Sequence, residues 1–142
     1  MLSAIKFVHF AALAALLAAS LSKNLLLGGT SATHSALAKS VIADRVSGLA
    51  AALMVLSGIG LVQLGPRGSE AYLHAPLFWI KMSLLVIASG LILRTKAFIR
   101  RGDSLSSPST IAVPGFITAI FRIDLVACLL MTALGLMIAR GF

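Results

Sequence analysis

The residues best suited to bind a cofactor are basic side chains near one end of the long apolar segments. His9 lies about seven residues into the first apolar segment, and Lys81 lies about five residues into the third. At about 1.5 Å per helical residue, they lie roughly 10 Å and roughly 7 Å from the same end, and therefore at similar depth. Lys6 shares a helical face with His9 because it precedes His9 by three residues. His74 lies in the short connection before the third segment.

These residue types indicate a haem site. A neutral imidazole on a helix of an apolar bundle is a common axial ligand of haem iron. A lysine that has lost its proton can also ligate the iron, and a protonated lysine can pair with a haem propionate. We therefore expect His9 to bind haem iron, with Lys81 as its partner and Lys6 and His74 nearby. The alternatives are a His9 hydrogen-bonded to a neighbouring helix, lysines that reach the membrane interface, and a solvated His74.

A second group of ionisable residues lies near the opposite end of the apolar segments. Asp44 and Arg45 begin the second segment, and Arg122 and Asp124 begin the fourth. Charge pairs between these two segments would neutralise the four residues and fix the register of the bundle. A proton path through Asp44 or Asp124 is the alternative, because ionisable residues within a membrane span are functional candidates.

The chain's single tryptophan, Trp79, lies near the start of the third segment beside Tyr72 and Phe78. Aromatic residues at the ends of spans are typical of the belt at the membrane interface. A tryptophan at this position could instead stack on a cofactor. Both interpretations place Trp79 at the same end as His9 and Lys81.

The composition requires lipid as the solvent for most of the surface. Of 142 residues, 59% are hydrophobic and 11% are charged, which leaves too little polar surface for a soluble protein. A spanning helix needs about 20 mostly apolar residues, and four segments qualify, at about 2–27, 40–64, 76–100 and 114–139. A membrane barrel would show short alternating segments instead. The sequence therefore predicts an all-α transmembrane four-helix bundle with up-down-up-down topology, as a single membrane domain over residues 1–142.

Two stretches of this prediction need separate comment. The first segment resembles a secretory signal, but His9 in its middle and the apolar residues after Lys23 favour a retained span. Residues 102–113 contain serine and proline without hydrophobic periodicity, which predicts a loop between the third and fourth spans.

The net charge of +8 would suggest nucleic-acid binding in a soluble protein, but here the basic residues lie mainly between apolar segments. This distribution indicates topology signals and contacts with anionic lipid headgroups, and we expect no nucleic acid. Eight basic residues lie at the end of connections one and three, against four at the other end. We therefore expect a multi-pass protein of the bacterial cytoplasmic (inner) membrane, with both termini in the periplasm. The eight are Lys23, Lys39, Arg45, Arg94, Lys96, Arg100, Arg101 and Arg122, and the four are Lys6, Arg67, Lys81 and Arg140.

A family resemblance rests on several stretches of the chain. They are Asp44-Arg45-x-x-Gly48-Leu49-Ala50-Ala51, Ser57-Gly58, Ala71-Tyr72-Leu73-His74-Ala75-Pro76-Leu77-Phe78-Trp79-x-Lys81 and Met137-Ile138-Ala139-Arg140-Gly141. This pattern resembles the DUF2214 family of small bacterial membrane proteins over nearly the whole chain. The stretch from Tyr72 to Lys81 is its most specific part.

The DUF2214 family is distantly similar to the CopD copper-resistance membrane domain and to HemJ. HemJ is a four-helix haem-b membrane protein that acts as a protoporphyrinogen oxidase, and its relatives carry a similar Lys-x-x-His and a similar lysine in the third span. By this resemblance, His9 is implied to be the axial haem ligand and Lys81 its partner. The chain lacks further histidines and tryptophans of HemJ, so the resemblance implies haem binding more strongly than porphyrinogen oxidation.

Three functions are therefore open at the level of the sequence. The first is a haem-b redox or electron-transfer protein of the membrane. The second is a non-catalytic membrane subunit of a larger complex or a homo-oligomer. The third is a copper or proton transporter, although the five methionines are scattered rather than grouped at one depth as copper ligands would be. The sequence shows no phosphate loop and no pairing of nucleophile and base, and it leaves open whether the protein is an enzyme.

Overall fold

Four long helices build the protein. The computed structural model describes residues 1–104 and 110–141, with residues 102–104 described by their backbone alone. Each long helix in this part is long and apolar enough to cross a membrane, which confirms the all-α class and the four predicted spans. The long helices are α1 (Leu2–Leu27), α2 (His34–Leu64), α4 (Pro76–Ser104) and α5 (Gly115–Arg140), and a short helix α3 (Gly68–Leu73) connects α2 to α4.

The helices form a closed ring in which α1 and α4 each pack against both α2 and α5. The connection after α1 carries strand β1 (Ser31–Thr33), and the connection before α5 carries strand β2 (Thr110–Ala112). The two strands pair antiparallel, with Ala32 opposite Ile111. Because this ribbon joins the first and third long connections at one end of the bundle, successive long helices alternate in direction. The up-down-up-down topology is therefore as predicted, whereas the ribbon was not predicted.

The helix boundaries differ from the prediction at two places. Helix α2 begins at His34, six residues before the predicted start at 40, because the side chain of Thr33 accepts the N–H of Ala36 at 3.1 Å. Such a cap satisfies a backbone donor that the first helical turn leaves without a partner. Helix α4 continues to Ser104, so the predicted loop at 102–113 begins as helix and includes β2. Residues 105–109 of that loop lie outside the described residues.

Large apolar side chains are exposed on every long helix, for example Leu25, Leu49, Val86 and Leu136. A soluble protein would cover such side chains, whereas a membrane span presents them to lipid. The bilayer is therefore the partner that the exterior of this bundle requires.

Two apolar clusters fill the interior at different levels. The cluster near the middle of the bundle, here called the central apolar layer, comprises Ala12, Leu13, Leu16, Ala50, Met54, Leu85, Ala88, Ile92, Ala127, Cys128 and Met131. The cluster next to the ribbon, here called the inner apolar layer, comprises Leu27, Ala32, Leu37, Ile99, Val113, Ile117 and Phe121. Polar side chains therefore have two places inside the bundle, one beyond the central layer and one between the layers.

Candidate functional site

A cavity of about 570 Å³ opens at the end of the bundle opposite the ribbon, and it is here called the outer cavity. Its walls come from all four long helices and are mostly apolar, with Met54, Ile59, Phe78, Met82 and Leu85 among the lining residues. The volume falls within the range of about 300–1,000 Å³ that is typical of small-molecule sites. The cavity therefore has room for a ligand of the size of a cofactor.

His9 lies in the wall of this cavity with both ring nitrogens engaged, and 7% of its surface is exposed. Its Nδ1 is 2.9 Å from the hydroxyl of Ser57, and that hydroxyl donates its own proton to the carbonyl of Leu53 at 2.6 Å. A hydroxyl has one proton, so Ser57 must accept from Nδ1–H. The hydrogen-bond network therefore assigns the neutral tautomer, with the proton on Nδ1 and an unprotonated Nε2.

Lys81 completes this arrangement from α4. Its Nζ lies 3.2 Å from Nε2 of His9 and donates to the lone pair there. The sequence prediction that the two residues lie at similar depth on facing helices is thus what the structure shows. Hydrogen bonds link Leu53, Ser57, His9 and Lys81 in that order, across α2, α1 and α4. This network holds the imidazole in one orientation.

His9 and Lys81 each pack against a glycine, whose missing side chain makes room for them. A Cβ atom at Gly135 on α5 would lie 3.3 Å from Nζ of Lys81, which is closer than ordinary van der Waals contact. A Cβ atom at Gly58 on α2 would lie 3.6 Å from Cε1 of His9, which is an ordinary contact. Gly135 is therefore the tighter position, and the sequence had given it no role.

The outer cavity is lined by cations and by no carboxylate among the described residues. Lys6, Arg67 and Lys81 all lie in its wall. Arg67 also donates to the carbonyl of Ile138 at 3.4 Å, which links the connection after α2 to the end of α5. An apolar chamber lined by three cations suits an apolar molecule that carries acidic groups. A place for Arg67 at this site was not predicted, although its position at the same end as Lys6 is a usable signal in the sequence.

Two predicted site residues lie outside the lining of the cavity. His74 is exposed at the end of α3, and Trp79 is 54% exposed. The indole Nε1 of Trp79 donates to the carbonyl of Leu73 at 2.8 Å, and its ring meets that of Phe78 edge to face. The aromatic side chains that line the cavity from this region are Tyr72 and Phe78.

A second polar group, here called the inner polar layer, lies between the two apolar layers. Lys23, Asp44 and Asp124 are 1%, 5% and 2% exposed, and the ammonium group interacts electrostatically with both carboxyl groups. The hydroxyl of Ser20 donates to Oδ2 of Asp124 at 2.7 Å. The amide of Asn24 donates to the carbonyl of Phe121 at 2.7 Å.

The cation in this layer differs from the one that the sequence suggested. Arg45 and Arg122 are exposed, and Lys23 is the buried cation that interacts electrostatically with both aspartates. Successive helical residues point about 100° apart, and on α2 the residue that shares the buried face with Asp44 is Ala43 rather than Arg45. Sequence reasoning counted Lys23 as a loop charge because it lies near the end of the first span.

No group of three or more His, Cys, Asp or Glu side chains in the described residues could hold a metal ion. Cys128 is buried in the central apolar layer as a free thiol. A metal in the outer cavity would therefore depend on His9 together with donors that a cofactor brings.

Four spanning helices around a cation-lined cavity that opens at one end define the chain as a small multi-pass membrane protein. The chain belongs to the DUF2214 family, described as a predicted membrane protein, whose sequence model matches residues 2–142. Comparisons with curated proteins and with solved structures found no match. The similarity to HemJ and CopD therefore stays a prediction from the sequence.

Proposed function

We propose that this protein binds haem b in the outer cavity and acts as a redox or electron-transfer protein of the membrane. The observation that carries the proposal is the tautomer of His9, whose Nε2 lone pair lies in the wall of a cavity of about 570 Å³. Haem iron takes an imidazole nitrogen as an axial ligand. The donor set, the apolar walls and the cations at this site fit such a group.

The hydrogen bond from His9 to Ser57 supports the proposal independently of the cavity. Histidines that bind metals donate their other ring N–H to an acceptor, which fixes the ring and raises the basicity of the ligand nitrogen. Ser57 plays this part because its own proton goes to Leu53.

The cations supply the second requirement, which is a partner for acidic groups. A propionate can pair with Lys6, Arg67 or Lys81, all of which line the cavity. Lys81 donates to Nε2 in the structure, so it must release that nitrogen when a metal binds there. Its flexible stem lets the ammonium turn to a carboxylate, or the amine become a second ligand.

Bound haem would supply one-electron transfer, and the protein would set its environment. The central apolar layer forms the floor of the cavity, since Met54 and Leu85 belong both to that layer and to the cavity wall. With both termini in the periplasm, as the distribution of basic residues favours, the cavity opens to the periplasmic side of the inner membrane. An electron partner, or a porphyrin-like substrate, would then approach from that side.

The test is an absorption spectrum of the protein purified in detergent after expression with ample haem, oxidised and then reduced with dithionite. We expect a Soret band and sharp reduced α and β bands, which His9→Ala abolishes. The matched controls are His34→Ala and His74→Ala, since both side chains are exposed. A colourless wild-type protein would overturn the proposal and favour a membrane subunit without a cofactor. Equal loss in all three variants would also count against His9.

A further inference from the structure

We propose that the inner polar layer binds one exchangeable proton, carried by Asp44 or Asp124, beside the ammonium group of Lys23. The layer lies on the other side of the central apolar layer from the haem site. The proposal is therefore independent of haem binding.

The charges of the layer do not balance when all three groups are ionised. Lys23 contributes one positive charge against two carboxylates, and the two neighbouring arginines, Arg45 and Arg122, are exposed. One negative charge would then be buried without a partner, which is costly in an apolar interior. A single added proton makes the layer neutral.

The hydrogen bonds show where such a proton fits. Oδ1 of Asp44 and Oδ1 of Asp124 are buried without a hydrogen-bond partner in the described residues. The other oxygen of Asp124 already accepts from Ser20 at 2.7 Å. Two buried carboxylate oxygens without a partner, in groups that both interact with Lys23, offer a place for one proton, and ionisable groups at such places in membrane proteins are typical of proton relays.

Among the described side chains, Lys23, Asp44 and Asp124 are the buried charged residues of this layer. On α5, Cys128 is the titratable neighbour of Asp124 and Lys23, and its thiol is buried. On α4, Thr95 lies at a depth similar to that of Lys23, because it follows Lys81 by fourteen residues, as Lys23 follows His9. The hydroxyl of Thr95 donates to the carbonyl of Ile92 at 3.1 Å. Lys96, the residue after Thr95 on α4, is half-buried.

The apolar layers decide on which side the proton exchanges. Lys23 is four residues from the end of α1, or about 6 Å along the axis, whereas His9 is fourteen residues away, or about 21 Å. The central apolar layer fills that longer interval. Exchange therefore proceeds through the thinner inner apolar layer beneath the ribbon, which faces the cytoplasm in the proposed orientation.

Infrared difference spectroscopy of protein labelled with ¹³C-aspartate tests this proposal, because a protonated carboxyl has a carbonyl stretch that a carboxylate lacks. At neutral pH we expect one protonated aspartate per wild-type chain. Asp44→Asn and Asp124→Asn should each abolish the band, since one carboxylate then balances Lys23. Lys23→Met should double it, since both aspartates then need a proton.

The control is Asp103→Asn, which changes the remaining aspartate of the chain on the last turn of α4 and should leave the band unchanged. If a variant fails to fold, the wild-type spectrum still tests the proposal, because it reports whether one aspartate is protonated. A wild-type protein without protonated aspartate overturns the proposal. A carboxylate band that shifts when sodium replaces choline would assign the site to a metal cation and overturn it as well.

Discussion

The hydroxyl of Ser57 accepts the Nδ1 proton of His9 at 2.9 Å, although 48 residues separate the two in the chain. This hydrogen bond joins α1 to α2 and directs Nε2 of the imidazole towards Lys81 on α4. Removing the hydroxyl would leave the histidine in place but would remove the acceptor of its Nδ1 proton, and with it one of the two contacts that orient the ring. A variant without this bond therefore tests the orientation of the proposed ligand while its position stays the same.

Ser57→Ala should therefore weaken haem binding without abolishing it. Loss of such an outer partner typically lowers metal affinity by about 10- to 100-fold. The measurement is a titration of the haem-free protein with haem, followed by the Soret band. Ser83→Ala is the matched control, because Ser83 also donates to a backbone carbonyl but is exposed on α4. Equal affinity in Ser57→Ala and wild type would show that the bond does not orient the ligand.

The cations of the outer cavity should select ligands by their acidic groups. Lys6→Gln and Arg67→Gln should each reduce the affinity for protoporphyrin by up to about fivefold, since a solvent-accessible ion pair contributes about 1 kcal/mol or less. The affinity for its dimethyl ester should not change, because the ester carries no charge. Quenching of porphyrin fluorescence measures both.

Arg140→Gln is the control for these two variants, because Arg140 lies at the same end of the bundle but does not line the cavity. A similar loss for the acid and for the ester would mean that the variants alter the shape of the cavity rather than its charge.

The two glycines beside the site should differ in their response to a side chain. Gly135→Val should displace Lys81 and break its contact with His9, because even a Cβ atom there lies 3.3 Å from Nζ. Gly58→Ala should be tolerated, because its Cβ would make an ordinary contact at 3.6 Å. Nitrogen NMR of ¹⁵N-histidine in the haem-free protein reports the hydrogen bond at Nε2. An unchanged Nε2 signal in Gly135→Val would contradict the assigned contact.

The sequence predicts the fold well, because long apolar segments leave few alternatives in a membrane. It also predicts that His9 and Lys81 lie at similar depth, since a helix has a constant rise per residue. Which side chains face inward is harder to predict when lipid makes nearly every face apolar. Trp79 and Lys23 illustrate this, since Trp79 proved exposed and Lys23 buried. The ribbon was missed because its strands are three residues each.

The buried position of Lys23 should make it one of the more sensitive residues for stability. Lys23→Met leaves two carboxyl groups without their cation, and breaking a buried pair in this way typically costs about 3–5 kcal/mol. Unfolding in mixed micelles with increasing denaturing detergent measures the change. Lys39→Met, at an exposed position of α2, should stay within about 0.5 kcal/mol of wild type.

The double variant Lys23→Met with Asp124→Asn shows how much of the lost stability is due to the charge of Lys23 and how much to its packing. It should recover much of the stability, because only one of the two aspartates must then take up a proton to be buried without a cation. No recovery in the double variant would mean that the stem of Lys23, rather than its charge, stabilises the bundle.

The orientation in the membrane can be tested with two exposed serines at opposite ends of the bundle. Ser31 lies in β1 and Ser69 in α3, and the single native cysteine, Cys128, is fully buried and should remain unlabelled. A membrane-impermeant thiol reagent should label Ser69→Cys in intact bacterial cells, and Ser31→Cys only after the inner membrane is opened, because the ribbon end carries the excess of basic residues. Since both positions are exposed, a difference in labelling reports the side of the membrane rather than burial. The reverse pattern would place the outer cavity in the cytoplasm, and the electron partner would then have to be a cytoplasmic one.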